Sequence, residues 1–231
     1  MKEVIGIIGY GRFGAILESL LKQDFSLKIY DPNASRFDNV LDTSAIFVAV
    51  PIRHFETVIR EIAPKIAPHT TIIDVCSVKI YPVNIMKQYL LPSVGIIATH
   101  PLFGPDSIKN GYPSKMVMYP VRHNGEQYHA WKTFFSKKKI HVLEMAPEEH
   151  DQLAAKSQGI THFIGRALEK MGAVPTPIDT AGYATLLKTM EQTCHDSREL
   201  FLDLQRFNPY TKKAIEALEM AILAVKTECH L

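Results

Sequence analysis

Apolar residues recur along the chain in two different rhythms. Up to about residue 146 they form short, often β-branched runs separated by helical stretches. Val4-Ile5-Gly6-Ile7-Ile8, Leu27-Lys28-Ile29-Tyr30, Ala45 to Val50, Thr71-Ile72-Ile73-Asp74-Val75 and Val94 to Thr99 read as strands. The near-continuous runs have the pattern of strands buried on both faces. Between them, Phe13 to Lys22 carries Ile16, Leu20 and Leu21 at helical spacing. Phe55 to Ala63 carries Phe55, Val58, Ile59 and Ile62 in the same way and is expected to end before Pro64. A short strand at Met116 to Tyr119, a helix carrying Trp131 and Phe134, and a strand at Ile140 to Met145 follow. Strands alternating with helices at this spacing predict parallel βαβ units in a doubly wound α/β sheet, the Rossmann arrangement.

After Pro147 the rhythm is helical throughout. Glu148 to Met171 is one such stretch, with Gly172 placed to end it. Tyr183 to Leu204 and Tyr210 to Lys226 are two more. The pattern predicts an α/β domain over residues 1–146 and an all-helical domain over 147–231. The second is short and carries much apolar surface for its size, so it is expected to bury that surface against a second copy of the chain, as a homodimer.

Composition narrows the classes. Of 231 residues, 46% are hydrophobic and 22% charged, ordinary for a soluble globular protein and too apolar for a disordered one. A formal net charge of +2 argues against a binder held to nucleic acid by charge alone. No apolar run is long enough to cross a membrane as a helix, and the strand-like run at Val4 leaves no signal-peptide pattern ahead of it. Cys76, Cys194 and Cys229 are too few and too scattered for a disulfide framework or zinc site, and the ten histidines show no metal-ligand spacing. The chain is therefore expected to be cytoplasmic, without a metal, a membrane or a nucleic-acid partner.

Gly9-Tyr10-Gly11-Arg12-Phe13-Gly14 fits G-x-G-x-x-G between a buried strand and a helix, the context that the motif needs. Gly9 permits the tight turn, Gly11 lets a pyrophosphate reach the backbone, and Gly14 lets helix and strand pack closely. The helix N-terminus offers unpaired N–H groups to the anion. Asp31, 22 residues after Gly9 at the end of the second strand, is placed to accept hydrogen bonds from ribose hydroxyls and to repel a 2′-phosphate. NAD is therefore the expected cofactor. NADP stays open because Arg36 follows five residues later and could pair with a phosphate. Arg12 and Phe13 in the motif, with Val50 and Pro51 at the end of the third strand, complete the expected cofactor contacts.

Two more segments lie at the carboxyl ends of strands, where open α/β sheets bind ligands. They are Asp74-Val75-Cys76-Ser77-Val78-Lys79 and Thr99-His100-Pro101-Leu102-Phe103-Gly104. His100 is placed for proton transfer near a nicotinamide, although position alone fits a structural histidine equally well.

These two runs, followed by S-Q-G-I-T-H-F-I-G-R-A-L from Ser157 and D-T-A-G-Y-A-T-L-L-K-T-M-E-Q-T-C-H-D-S-R-E-L-F from Asp179, resemble the prephenate/arogenate dehydrogenase family, especially its short plant-type arogenate dehydrogenases. The resemblance runs from Val4 to about Asn208. It implies a Rossmann domain for the nicotinamide cofactor and a helical domain that dimerises, with substrate held between them. It also implies oxidative decarboxylation of a cyclohexadienyl substrate, giving tyrosine from arogenate or 4-hydroxyphenylpyruvate from prephenate. The catalytic histidine of the family falls on His100, and its hydroxyl-binding serine on Ser77. A second family histidine falls on His162, a position that by itself would read as a core histidine. Gln158, one turn earlier, is a candidate second substrate contact.

The arginine that anchors a substrate carboxylate in some bacterial members has no clear counterpart. Lys188 is the nearest cation and Arg198 another, and Lys188 could equally be a solvated helix charge. Asp196 could pair with the ammonium of arogenate. In the family an acid in this segment goes with arogenate and Asn with prephenate. Asp196 could instead cap a helix restarting at Ser197. Two other readings stay open. One is a β-hydroxyacid or 6-phosphogluconate-type dehydrogenase, which would use a catalytic lysine and which the His100 and Ser77 runs disfavour. The other is a nucleotide sensor that has lost its chemistry.

Overall fold

The computed structural model describes residues 2–34, the backbone of 36–37, and residues 39–104, 108, 111, 113–122 and 125–230. The chain divides into two compact units, Met1–Glu148 and Glu149–Leu231.

The first unit contains β1 (Val4–Ile8), α1 (Arg12–Leu21), β2 (Ser26–Asp31), β3 (Arg36–Phe37) and β4 (Ala45–Val48). Then come α2 (Ile52–Ile62), β5 (Thr71–Asp74), α3 (Ile80–Tyr89), β6 (Gly95–Pro101), β7 (Lys115–Arg122), α4 (Gly125–Lys137) and β8 (His141–Glu144). The strands form one sheet in the order β3-β2-β1-β4-β5-β6-β7-β8. β2, β1, β4, β5 and β6 run parallel, while β3 and β7 are antiparallel to β2 and β6. The strand order reverses between β1 and β4, and in such sheets the crevice beyond the strand ends at that point is where a ligand binds.

β-Branched runs become central strands because both faces are covered. All of Ala45–Val48 is buried, as are Ile5, Ile7, Ile72 and Ile73. Trp131 and Phe135 of α4 close one face over Phe47, with ring centroids 5.1 Å and 6.4 Å from it. Truncating Phe47 to Ala would cost about 3–5 kcal/mol through the cavity left behind. Three departures from the sequence reading matter for the site. β4 stops at Val48 and β5 at Asp74, so Ala49–Pro51 and 75–79 leave the sheet as loops. α3 is absent from the sequence reading although Val83, Met86 and Leu90 recur at helical spacing and are buried; Pro82 falls in its first turn, where proline is tolerated. β7 runs antiparallel, outside the expected βαβ pattern.

The second unit contains α5 (Pro147–Ala154), a π-helical turn (Ala155–Gly159), α6 (Ile160–Met171), α7 (Ala181–Cys194), α8 (Arg198–Phe207) and α9 (Thr211–Glu228). Gly172 ends α6 in the left-handed region at φ 79°, where glycine has no Cβ penalty. The stretch read as one helix over Tyr183 to Leu204 is two. Ser197 stops the continuation by capping α8, its hydroxyl accepting from Leu200 N at 3.1 Å. α6 and α7 meet at Gly165, where a Cβ would lie 1.9 Å from Thr193 Oγ1. Asn208 donates from its amide to the Asp151 carbonyl at 2.8 Å, and Gln205 to the Gly159 carbonyl in the π turn at 3.1 Å.

Candidate active site

The first group of site residues surrounds the turn from β1 into α1. Gly9 has φ +95°, and a Cβ there would sit 2.4 Å from the Ala49 carbonyl oxygen. Only glycine lets this turn lie against the end of β4. Gly14 is equally constrained, its Cβ position lying 2.2 Å from Gly9 O, so α1 packs directly on the turn. Gly11 differs: it is exposed and nothing lies within 4 Å of its Cβ position. The backbone there is open to a ligand. α1 starts without a side-chain cap and without an acid in its first turn, which leaves its N–H groups to an anion.

Asp31 is buried at the end of β2. Its Oδ2 accepts from Tyr10 N. Its Oδ1 accepts from Asn33 N at 2.7 Å and Ala34 N at 3.2 Å. The carboxylate thus ties the glycine turn to the β2 end, where a ribose hydroxyl would reach it. Val50 is half-buried beside Gly9, its Cγ1 3.1 Å from the Gly9 Cβ position. Pro51 is exposed at the N-cap of α2. Arg12 is exposed at the start of α1, and the Phe13 ring lies 6.0 Å from that of Phe103. The Arg36 side chain lies outside the described residues. An open glycine backbone, an uncapped helix start and a strand-end carboxylate are the features a dinucleotide needs, so these residues fit NAD or NADP.

The second group lies at the ends of β5 and β6. His100 is 3% exposed near the end of β6 and pairs with Val117 of β7. Ser77 is half-buried in the loop after β5. Between these positions sits a fully buried ion pair. Lys79 Nζ donates to Asp74 Oδ1 and to the Thr99 carbonyl. Asp74 also accepts from Cys76 N at 3.0 Å and Thr99 N at 3.3 Å, and Thr99 Oγ1 donates to the Asp74 carbonyl at 2.5 Å. Burial pushes the Asp74 carboxyl up, against the pull of the Lys79 ammonium and the Cys76 and Thr99 amides.

The third group is in the helical unit. His162 of α6 is 7% exposed, with Nε2 3.9 Å from Asp196 Oδ2. Burial lowers its pKa from the usual 6.5; the Asp196 carboxylate opposes that and Arg166 adds to it. Ser197 supplies the cap of α8, so the Asp196 carboxylate is not the cap and faces His162 instead. Arg166, one turn after His162, donates to the Asp196 carbonyl at 2.5 Å and to Glu169 at 3.1 Å, with its guanidinium 5.8 Å from the Phe201 ring centre. Gln158 is half-buried in the π turn, and Lys188 is exposed on α7. Arg198 is exposed at the start of α8.

Sequence reading did not single out Asp74, Lys79, Thr99 or Arg166. Two opposite charges flanking a strand end in an otherwise apolar region, and an arginine four residues after a histidine, were the available signals.

The family model described as the nucleotide-binding domain of prephenate dehydrogenase matches residues 17–143, and one described as a TYRAAT1-like C-terminal domain matches residues 167–230. Arogenate dehydrogenase 2, chloroplastic, of Arabidopsis thaliana is 33% identical over 97% of this chain and 69% of its own length. Arogenate dehydrogenase 1, chloroplastic, of the same plant is 33% identical over 97% of this chain. This chain spans only 39% of that relative. Among solved structures, prephenate dehydrogenase from A. aeolicus, in complex with hydroxyphenyl propionate and NAD+, superposes with a TM-score of 0.77 at 18% identity, covering 98% of this chain and 90% of that one. Synechocystis arogenate dehydrogenase does so with a TM-score of 0.70 at 17% identity, covering 97% and 91%. By domain match over more than half its length and by likeness to these relatives, the chain belongs to the prephenate/arogenate dehydrogenase family.

Proposed function

We propose that this chain catalyses the NAD-dependent oxidative decarboxylation of arogenate to tyrosine. The observation that carries the reading is a buried histidine, His100, at a strand end of a Rossmann sheet beside the serine loop after β5. When bound, the nicotinamide supplies the acceptor for the hydride leaving C4 of the ring. His100 takes the C4 hydroxyl proton on a ring nitrogen, and Ser77 hydrogen-bonds that hydroxyl and orients it. Loss of the C1 carboxylate as CO2 then makes the ring aromatic.

Asp31 supports NAD over NADP, since its carboxylate would repel a 2′-phosphate. The first domain, residues 1–146, is the cofactor module in this reading, and 147–231 the substrate and dimerisation module. His162 and Gln158 contact substrate, and Lys188 is the candidate carboxylate anchor. Asp196 accepts a hydrogen bond from the arogenate ammonium, a partner that prephenate lacks. Prephenate would be the weaker substrate.

A homodimer is the working unit. Met220, Ile222, Leu223 and Val225 of α9 are 57–67% exposed, a cluster too apolar to face water in the assembled enzyme. Among the described residues no helix is long and apolar enough to cross a membrane. Among the described residues Cys76, Cys194 and Cys229 form no disulfide, which suits the reducing cytoplasm.

The test is NADH absorbance on adding arogenate, prephenate or 6-phosphogluconate to the chain with NAD. Reduction with arogenate, at higher kcat/KM than with prephenate, supports the reading. Reduction only with 6-phosphogluconate would favour the β-hydroxyacid alternative, and cofactor binding without reduction by any of them the sensor alternative.

A further inference from the structure

The ladder between β5 and β6 ends at the pair Asp74–Ala98. The residues proposed for chemistry, Ser77 and His100, come after that point on their two segments. Past the ladder, no backbone pairing among the described residues joins the β5 loop to the β6 end. The Asp74–Lys79 network begins at that point. From Asp74 it reaches Cys76 N on one side and Thr99 N and Oγ1 on the other, and Lys79 closes the ring from the start of α3 onto the Thr99 carbonyl. Its contacts include the backbone on either side of the gap: Cys76, next to Ser77, and Thr99, next to His100.

The pair is 0–1% exposed. A buried ion pair is a poor source of net stability, because desolvation offsets the attraction and apolar residues of the same volume often serve as well. Stability alone therefore does not account for placing two charges here. A charged network does supply fixed geometry, since each donor and acceptor has a direction. From this placement we infer that Asp74 and Lys79 are positioning residues: they hold the Ser77 loop and the Thr99–His100 strand end in one register, so that both side chains act on the same substrate hydroxyl. β7 holds His100 from the other edge, through the pairs His100–Val117 and Pro101–Met116. The inference rests on the proposed roles of Ser77 and His100.

The test compares wild type with the charge-neutral double variant Asp74→Asn/Lys79→Met and with Thr99→Val, which keeps both charges and removes one hydroxyl. The readouts are melting temperature, kcat and KM for substrate and NAD, and the ring-nitrogen NMR signals of His100 in the cofactor-free chain. The expected result for the double variant is a kcat about 10- to 100-fold lower, the cost of misplacing reacting groups by a fraction of an ångström to an ångström. KM values stay within about two-fold, and the His100 nitrogen signals shift or broaden. Thr99→Val is expected to lower kcat several-fold at unchanged KM. A folded double variant with wild-type kcat and unmoved His100 signals would overturn the inference, as would a loss seen only in melting temperature. If the double variant does not fold, Thr99→Val decides: unchanged kcat and unmoved His100 signals overturn the inference. The NMR comparison needs no turnover, so it still decides if the wild-type chain proves inactive on arogenate and prephenate, a failure of the functional reading alone.

Discussion

His100 carries the proposed proton transfer, and replacing it by Ala should lower kcat by about two to four orders of magnitude, the usual range for a positioned acid or base. NADH binding should remain, because the glycine turn and Asp31 do not depend on that imidazole. An NADH fluorescence titration alongside steady-state kinetics checks both. Asp196 is expected to govern substrate choice. Asp196→Asn should shift the arogenate-to-prephenate ratio of kcat/KM toward prephenate by about ten-fold or more, the scale of one hydrogen bond to a charged group. His162 has a folded-state pKa below its usual 6.5 because it is buried. The unfolded chain then binds more protons than the folded chain between that lowered value and 6.5. This histidine's contribution to stability is therefore present above pH 6.5 and lost as pH falls through the window below it. Urea melts across that range should show a smaller pH slope for His162→Gln than for wild type. An unchanged slope would remove His162 as the source.

At the scale of elements, glycines separate fold from function. Gly165→Ala puts a Cβ 1.9 Å from Thr193 Oγ1, and should cost about 1–3 kcal/mol by forcing α6 and α7 apart. Gly11→Ala meets nothing within 4 Å, so its melting temperature should hold while its affinity for NAD falls, because the new methyl group occupies the open backbone face. Melting curves with and without NAD distinguish the two. The strand–glycine turn–helix unit was legible in the sequence because each step has its own local signal: a β-branched run, three spaced glycines and an acid at the next strand end. The α7–α8 break was legible only as an alternative: the polar run from His195 to Glu199 interrupts the apolar spacing but offers both Asp196 and Ser197 as caps, and the fold chooses Ser197, whose hydroxyl accepts from Leu200 N. The Asp74–Lys79 pair was hidden for a different reason. Its meaning depends on Thr99, 25 residues from Asp74 in sequence and brought alongside by the β5–β6 pairing.

For the whole molecule, the exposed apolar residues of α9 are the main reason to expect a dimer. Leu223→Asp should yield a monomer by analytical ultracentrifugation where wild type sediments as a dimer, and a wild-type monomer would contradict the dimer. The dinucleotide site and the strand-end histidine lie in the first unit, and the His162–Asp196 pair in the second. In the proposed reaction a near-neutral chain takes an anionic cofactor and an anionic substrate, so binding should depend more on placed groups than on ionic strength. The most direct measurement is product stoichiometry with arogenate and NAD. The expected result is tyrosine, CO2 and NADH formed in equal amounts. NADH formed without tyrosine and CO2, or no NADH at all, would contradict the account.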